Sequence, residues 1–447
     1  ILEQKGNEKK SAIAQTPDAT TEEKQEAVSA VSQAVTNGIT HINQANSNDD
    51  VDQELSNAEQ IITHTNVNVQ KKPQARQALI AKTNEKQSAI NSDNEGTIEE
   101  KQKAIQSLND AKNLADEQIT QAASNQNVDN ALNIGISNIS KIQTNFTKKQ
   151  QARDQVNQKF QEKEAELNST PHATQDEKQD ALTRLTQAKE TALNDINQAQ
   201  TNQNVDTALT SGIQNIQNTQ VNVRKKQEAK TTINDIVQQH KQTIQNNDDA
   251  TTEEKEVANN LVNASQQNVI SKIDNATTNN QIDGIVSDGR QSINAITPDT
   301  SIKRNAKNDI DIKAAYKKIK IQRINDATDE EIQEANRKIE EAKIEAKDNI
   351  QRNSTRDQVN EAKTNGINKI ENITPATTVK SEARQAVQNK ANEQINHIQN
   401  TPDATNEEKQ EAINRVSAEL ARVQAQINAE HTTQGVKTIK DDAITSL

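Results

Sequence analysis

Aliphatic and small residues recur along the chain at the spacing of one face of an α-helix. Ala27, Val31 and Ile42 are separated by four and eleven residues, which places them on a single helical face. The same face returns at a constant period of about 77 residues, as Ala104, Leu108 and Ile119, as Ala181, Leu185 and Ile196, and at three later places. The pattern predicts one amphipathic helix in each period, the first of them over residues 21–45.

A short polar phrase, TTEEK or a variant of it, precedes each of these helices. Thr-x-x-Glu is the sequence of a capping box, in which side chains of the two residues bond each other's backbone amides. Glutamates in a first turn also stabilise the positive end of the helix dipole. The predicted caps are Thr20 with Glu23, Thr97 with Glu100, Thr174 with Glu177, Thr251 with Glu254, Thr328 with Glu331, and Thr405 with Glu408. Six copies at constant spacing exclude chance and mark six helix starts.

A second helix follows in each period. A serine or threonine at a fixed phase, such as Ser124, predicts its N-cap, and Val128 and Ile139 belong to its apolar stripe. One slot in this helix is restricted to glycine or alanine, and glycine fills it at Gly135, Gly212, Gly289 and Gly366. A glycine inside a helix costs about 1 kcal/mol relative to alanine. The slot therefore predicts close packing of two helices, with a ligand notch as the less favoured alternative.

A third helix starts near a row of lysines at one phase: Lys72, Lys149, Lys226, Lys303 and Lys380. We expect these lysines to be solvated or to form interhelical salt bridges, although a binding stripe is an alternative. Since the period equals eleven heptads, one continuous coiled coil would also return to phase in each repeat. The six prolines argue against that coil, because all of them fall at two kinds of predicted junction.

The predicted fold is therefore all-α, with tandem three-helix bundles of about 77 residues each, joined end to end into an elongated rod. An odd number of antiparallel helices carries the chain from one end of each bundle to the other. Counted from the capping phrase, the predicted domains are a truncated repeat at 1–19, full repeats at 20–96, 97–173, 174–250, 251–327 and 328–404, and the start of another at 405–447. We expect such an array to be a fragment of a longer protein.

Composition changes this picture little. With 30% hydrophobic and 1% aromatic residues and a mean hydropathy of −1.01, the chain could be disordered, but the helical periodicity kept in register favours folding. Its net charge of −12 disfavours nucleic acid and anionic membranes as partners. The absence of cysteine excludes disulfides, and no apolar run approaches the ~20 residues of a membrane span.

Residues with catalytic potential are few. The six histidines lie at different phases, so no recurring metal site is predicted, and no cofactor is expected. The pairs Glu22/Glu23 and Glu99/Glu100 are expected on exposed first turns, where water prevents the pKa separation that acid–base catalysis needs. The sequence therefore does not predict an enzyme.

Three rare aromatic residues are predicted as structural or solvated positions. Phe160 is expected in the core, Phe146 at a turn, and Tyr316 partly exposed. Tyr316 lies in a basic stretch, KAAYKKIKIQR at 313–323, which we interpret as a solvated helix face, with contact to a polyanion as the alternative.

Three phrases carry a resemblance to a known family: TPDATTEEKQEA, NVDNALNIGISNI and TPATTVKSEARQAV. They resemble the tandem helical repeats of staphylococcal cell-wall-anchored surface proteins of the FmtB/Mrp and SasC type, which are related to modules of the matrix-binding protein Ebh. The resemblance covers the whole chain. It departs at Ile332, where the capping phrase otherwise has lysine.

The resemblance implies an extracellular, cell-wall-anchored protein of a Gram-positive bacterium, with roles in adhesion, aggregation and biofilm and with its covalent anchor outside these residues. The favoured function is a stalk that projects an adhesive head. The alternative is a multivalent binding array for a host extracellular matrix protein or for the same protein on a neighbouring cell. Neither nucleic acid nor a membrane is expected as a partner of these repeats.

Overall fold

The computed structural model describes residues 1–447, and every regular element is an α-helix. The helices are α1 (Leu2–Ala14), α2 (Thr21–Gln44), α3 (Asn48–His64), α4 (Lys71–Ser92), α5 (Ile98–Gln121), α6 (Asn125–Lys141), α7 (Lys148–Asn168), α8 (Gln175–Gln198), α9 (Asn202–Asn218), α10 (Lys225–Gln245), α11 (Thr252–Asn275), α12 (Asn279–Asn294), α13 (Ser301–Ile321), α14 (Asp329–Arg352), α15 (Arg356–Glu371), α16 (Thr378–Gln399), α17 (Asn406–Ala429) and α18 (Thr433–Ser446).

Consecutive triplets of these helices pack as bundles. In each triplet every helix contacts the other two, from α1, α2 and α3 in the first bundle to α16, α17 and α18 in the sixth. The prediction of an all-α fold made of three-helix bundles with a 77-residue period is confirmed. The chain divides into two compact units of three bundles each, Ile1–Asn222 and Val223–Leu447.

The bundles begin one helix earlier than the predicted repeats. The predicted repeat at 20–96 groups α2, α3 and α4, whereas α4 packs with α5 and α6, and α2 and α3 pack with α1. The segment TPDAT, at the predicted boundary between the truncated repeat and the first full repeat, lies inside one bundle, between α1 and α2. The capping box is the strongest local signal, yet it marks the second helix of each bundle. The true boundary is an uncapped extended segment such as residues 65–70.

Each bundle has its own aliphatic core. In the second bundle, Leu79 from α4, Leu108 from α5 and Ile139 from α6 are at most 1% exposed. Alanines such as Ala104 and Ala115 fill the space between these larger side chains. Burying one such large aliphatic side chain contributes about 1.5–3 kcal/mol. The apolar stripes of the three helices therefore drive their packing.

The second and third helices of a bundle approach closely at the glycine slot. A Cβ added to Gly135 on α6 would lie 2.5 Å from the Cβ of Ala115 on α5. In the first bundle the same contact is reversed, because Gly38 lies on α2 and faces Ala58 on α3, again at 2.5 Å. In five of the six bundles one of the two helices carries the glycine, whereas the sixth has Ala443 and Val423 at these slots. Side chains of the neighbouring helices therefore fill the space beside the glycine.

Candidate functional site at the bundle junctions

Four of the six capping boxes, those of Thr20, Thr97, Thr251 and Thr328, lie where one bundle meets the next inside a unit. At the junction of the second and third bundles, the Thr97 hydroxyl oxygen accepts a 3.3 Å bond from the Glu100 amide, and Glu100 Oε2 accepts a 3.1 Å bond from the Thr97 amide. All six predicted Thr–Glu pairs have this reciprocal arrangement. Thr97 is fully buried, whereas Thr405 of the last box is exposed.

The second oxygen of the same carboxylate caps a helix in the following bundle. Glu100 Oε1 accepts bonds of 2.9 and 3.0 Å from the amides of Thr147 and Lys148, at the start of α7. Helix α7 has no side-chain cap of its own. The same cross-bundle cap is made within the two units by Glu23 on α4, by Glu254 on α13 and by Glu331 on α16. One glutamate therefore caps two helices in successive bundles.

The preceding glutamate caps a third helix. Glu99 Oε2 accepts a 3.0 Å bond from the amide of Asn202, the first residue of α9. The Thr97 hydroxyl donates to Asn202 Oδ1 at 2.8 Å, and the Ile98 amide donates to the Gln200 carbonyl at 2.8 Å. Glu22, Glu253 and Glu330 occupy equivalent positions. The expectation of exposed glutamates is wrong for Glu23 and Glu100, because the next bundle partly covers both side chains.

The lysine row lies in the same junctions and is mostly buried. Lys149 Nζ donates to the Asn94 carbonyl of the second bundle at 2.8 Å and to the Asn197 carbonyl at the end of α8 at 2.7 Å. Lys303 and Lys380 bond two carbonyls in the same way, Lys72 bonds one, and these four are at most 5% exposed. The expectation of a solvated or salt-bridging row is therefore wrong for them. The three N–H donors of one lysine ammonium group can bond the backbone carbonyls that the end of a helix leaves without partners.

An arginine one turn further along adds an ion pair across three of these junctions. Arg153 Nη2 on α7 lies 2.6 Å from Glu95 Oε2 in the second bundle. Arg76 and Asp18 pair at 2.8 Å, and Arg384 and Asp326 at 2.7 Å. Sequence reasoning missed these pairs. Their carboxylates are about half exposed, so each pair contributes about 0–1 kcal/mol and serves mainly to fix the register.

The lysine of the capping phrase bonds the end of the preceding helix. Lys101 Nζ donates to the Asn91 carbonyl at 2.9 Å, and Lys24 and Lys255 make the same contact ten residues back at 2.8 Å. Ile332, which replaces this lysine in the fifth bundle, has no such donor. The threonine, both glutamates and the lysine of the TEEK phrase thus each bond a helix end.

The junction keeps its carboxylates ionised. Burial raises the pKa of Glu100, but three backbone N–H bonds outweigh burial and hold that pKa below the ordinary value of 4.5. The donors are the amides of Thr97, Lys148 and Thr147. The same balance lowers the pKa of two equivalent residues, Glu23 and Glu331. Burial, in turn, lowers the pKa of the Lys149 and Lys303 ammonium groups.

The aromatic residues differ in their surroundings. Phe160 is half-buried against the core of the third bundle, with Lys189 Nζ 4.5 Å from its ring centroid. Phe146 covers Gly96 at a junction, where an added Cβ would lie 2.7 Å from the ring. Tyr316 is 63% exposed.

Open grooves recur between the second and third helices of a bundle. Their volumes are about 420 Å³ between α2 and α3, 550 Å³ between α8 and α9, and 430 Å³ between α14 and α15. One equivalent position on the groove walls is His41 in the first groove, Asp195 in the second and Asn349 in the third. The grooves therefore differ in the chemical groups that line them. No group of three or more His, Cys, Asp or Glu side chains could hold a metal ion. No helix is both long and apolar enough to cross a bilayer.

The profile of a family described as Domain of Unknown Function (DUF1542) matches the chain six times in tandem. The matched segments are residues 1–70, 71–147, 148–224, 225–301, 302–378 and 379–447. These boundaries coincide with the packed bundles rather than with repeats counted from the capping phrase. The frame of the predicted domains is therefore corrected by one helix, and their period is kept.

The chain is also similar to part of the much longer extracellular matrix-binding proteins of Staphylococcus aureus. It is 27% identical over 334 residues, 72% of its length, to the extracellular matrix-binding protein EbhA of strain Mu3 and to the extracellular matrix-binding protein ebh of strain JH9. The chain spans 5% and 3% of the lengths of these two relatives, and 10% of EbhA of strain Newman. No solved structure shows a significant match to the chain.

Proposed function

Because the chain belongs to the DUF1542 family, we propose that its repeats are the structural spacer of a bacterial cell-surface adhesin. In this proposal they hold an adhesive head away from the wall of a Gram-positive cell and so support adhesion, aggregation or biofilm formation. The head and the covalent wall anchor would lie outside these residues. The protein would be extracellular.

The repeated junction is the observation that supports this proposal. Four junctions inside the two units use the same cross-bundle cap, the same lysine row and the same backbone bond from the residue after the capping threonine. A spacer needs one joint made many times, since each unit of a repeat array contacts only its neighbours. Here the invariant polar residues are engaged in the joint itself.

A second candidate function is a multivalent binding array. The names of the S. aureus relatives describe them as extracellular matrix-binding proteins. Repeats that each bind weakly can reach high avidity together. In this alternative, a host matrix protein or the same protein on a neighbouring cell contacts the repeats directly.

Surface display distinguishes the two functions. An adhesive domain is anchored to a bacterial wall through the six bundles, through three of them, or through an unrelated helical rod as long as six. The spacer predicts that cell attachment to the head's ligand falls with three bundles and returns with the unrelated rod. The binding array predicts that the six bundles capture immobilised matrix protein without any head, and that the unrelated rod does not. That second result would overturn the proposal.

A further inference from the structure

One helix of the second unit exposes an apolar face that the fold does not require. Ile312, Tyr316 and Ile319 on α13 are 69%, 63% and 52% exposed and lie at i, i+4 and i+7, on one side of the helix. Lys320 and Arg323 border them. These five residues are called the α13 patch. An apolar cluster in water is costly, and a cluster rimmed by polar residues is typical of an interaction surface.

The other bundles show what the α13 patch replaces. In the first helices of the second, third, fourth and sixth bundles, the slot of Tyr316 holds Glu85, Glu162, Gln239 and Glu393. The slot of Ile312 holds Ala81, Gln158, Asp235 and Asn389, and that of Ile319 holds Ser88, Ala165, Gln242 and Asn396. Because four equivalent helices fold with small or polar residues there, packing within the bundle does not explain the patch.

The cations at the border of the α13 patch are free to act outside the chain. Lys313 pairs with Glu371 and Lys318 with Glu340, and Lys317 Nζ bonds the Glu371 carbonyl. Lys320 and Arg323, by contrast, have no carboxylate partner in the chain. Their charge therefore favours an occupant that presents an acidic border around an apolar centre.

The same unit carries a second exposed apolar pair, with an acidic residue beside it. Val257 and Leu261 on α11 are 61% and 55% exposed at i and i+4, beside the exposed Glu256. These three residues are called the α11 patch. In three other bundles an ion pair occupies the slots of Val257 and Leu261: Asp180–Arg184, Glu334–Lys338 and Glu411–Arg415. The α11 patch has thus exchanged a solvated ion pair for an apolar pair.

We propose that the α13 patch of one chain docks onto the α11 patch of a second copy of the same chain. The apolar side chains would cover each other, while Lys320 and Arg323 would face Glu256. Two short helix faces bury less surface than a stable complex, which needs roughly 1200 Å². The contact is therefore weak and gains strength where many chains lie side by side. This inference does not depend on the spacer role.

Two variants and a control test the docking. The α13 variant is Ile312→Gln, Tyr316→Glu and Ile319→Ser, and the α11 variant is Val257→Asp and Leu261→Arg. Each takes residues that occupy the same slots in other bundles. The control removes two isolated exposed isoleucines of the first unit by Ile80→Asn and Ile134→Ser, the residues of the third bundle at those slots. Circular dichroism verifies that all four chains are equally helical.

Sedimentation velocity over a concentration series then measures association. The wild-type and control chains are expected to associate reversibly, and each patch variant to do so at least about tenfold more weakly. An equimolar mixture of the two variants should form a one-to-one pair and nothing larger. The α13 variant keeps an intact α11 patch and the α11 variant keeps an intact α13 patch, so only one contact can form. High salt should weaken that pair.

Three results would overturn the docking proposal. The first is a wild-type chain that stays monomeric at all concentrations. This result counts against docking also if the monomer instead co-sediments with phosphatidylglycerol vesicles or with polyphosphate. Another is an α11 variant that associates as the wild type does, which would mean that α13 patches bind each other. The third is a mixture of the two variants that forms no pair although the wild type associates.

Discussion

A single glutamate of the capping phrase can bond the starts of two helices. Glu100 accepts three backbone N–H bonds, one from its own helix and two from the next bundle. Such a bond to a charged acceptor contributes about 1.5–3 kcal/mol, and a donor left without a partner costs about 1–3 kcal/mol. A substitution of this one side chain is therefore expected to destabilise the following bundle as well as its own.

Replacing Glu100 by glutamine tests the cross-bundle cap. The amide keeps one acceptor oxygen but turns an NH₂ group towards one set of N–H donors, so Glu100→Gln should weaken the start of α7 by about 1–2 kcal/mol. Hydrogen–deuterium exchange at the Thr147 and Lys148 amides should accelerate about tenfold. Glu408→Gln is the matched control, since Glu408 bonds only Thr405, and it should leave α7 unchanged. Unchanged exchange in Glu100→Gln would contradict the cross-bundle cap.

The lowered carboxyl pKa values make the junctions sensitive to acid. Because the pKa of Glu23, Glu100 and Glu331 is below 4.5 in the folded chain, the unfolded chain binds more protons on acidification. The stabilisation that these groups contribute is present above pH 4.5 and is lost as the pH falls through their folded pKa values.

Melting curves between pH 7 and pH 3 measure this effect by circular dichroism. The melting temperature should fall below about pH 4.5, and the fall should be smaller in a chain that carries glutamine at all three positions. If the substituted chain lost as much as the wild type, other carboxylates would account for the acid sensitivity.

At the scale of the helix, bonds between residues close in sequence could be predicted, whereas bonds between residues far apart in sequence could not. The box of Thr97 and Glu100 was predictable because both partners lie within one turn. The Lys149 contact was not, because its acceptors are backbone carbonyls 55 and 48 residues away, which leave no trace in the sequence. Burial of a lysine also runs against the usual preference of this residue for water, which favours the solvated interpretation of that row. The predicted domain boundaries failed for the same reason, since the helix that begins a bundle takes its cap from a glutamate about 48 residues earlier.

The contact between the second and third helices can be tested by exchanging its two residues. Gly135→Ala should destabilise the second bundle by about 1–3 kcal/mol, because the new Cβ would lie 2.5 Å from that of Ala115. Gly135→Ala combined with Ala115→Gly should restore most of this loss, because it recreates the arrangement of Gly38 and Ala58 in the first bundle. Urea unfolding followed by circular dichroism gives the coupling. If the double variant were as unstable as the sum of the single ones, close packing would not explain the slot.

At the scale of the whole molecule, the junctions make the bundles depend on one another. The first helices of the second, third, fifth and sixth bundles have no side-chain bond from their own N-cap residue and take one from the bundle before. Neighbouring bundles are therefore expected to stabilise each other, as repeats in other linear arrays do. Since each bundle has three helices, we expect the chain to advance by about one helix length per bundle.

Small-angle X-ray scattering of the full chain, extrapolated to zero concentration to remove any self-association, tests the spacer most directly. Six bundles placed end to end predict a length on the order of 200 Å and a radius of gyration of about 60 Å. A compact globule of the same size would have a radius of gyration of about 22 Å. A value near the first figure is the result that the spacer requires, and a value near the second would contradict it.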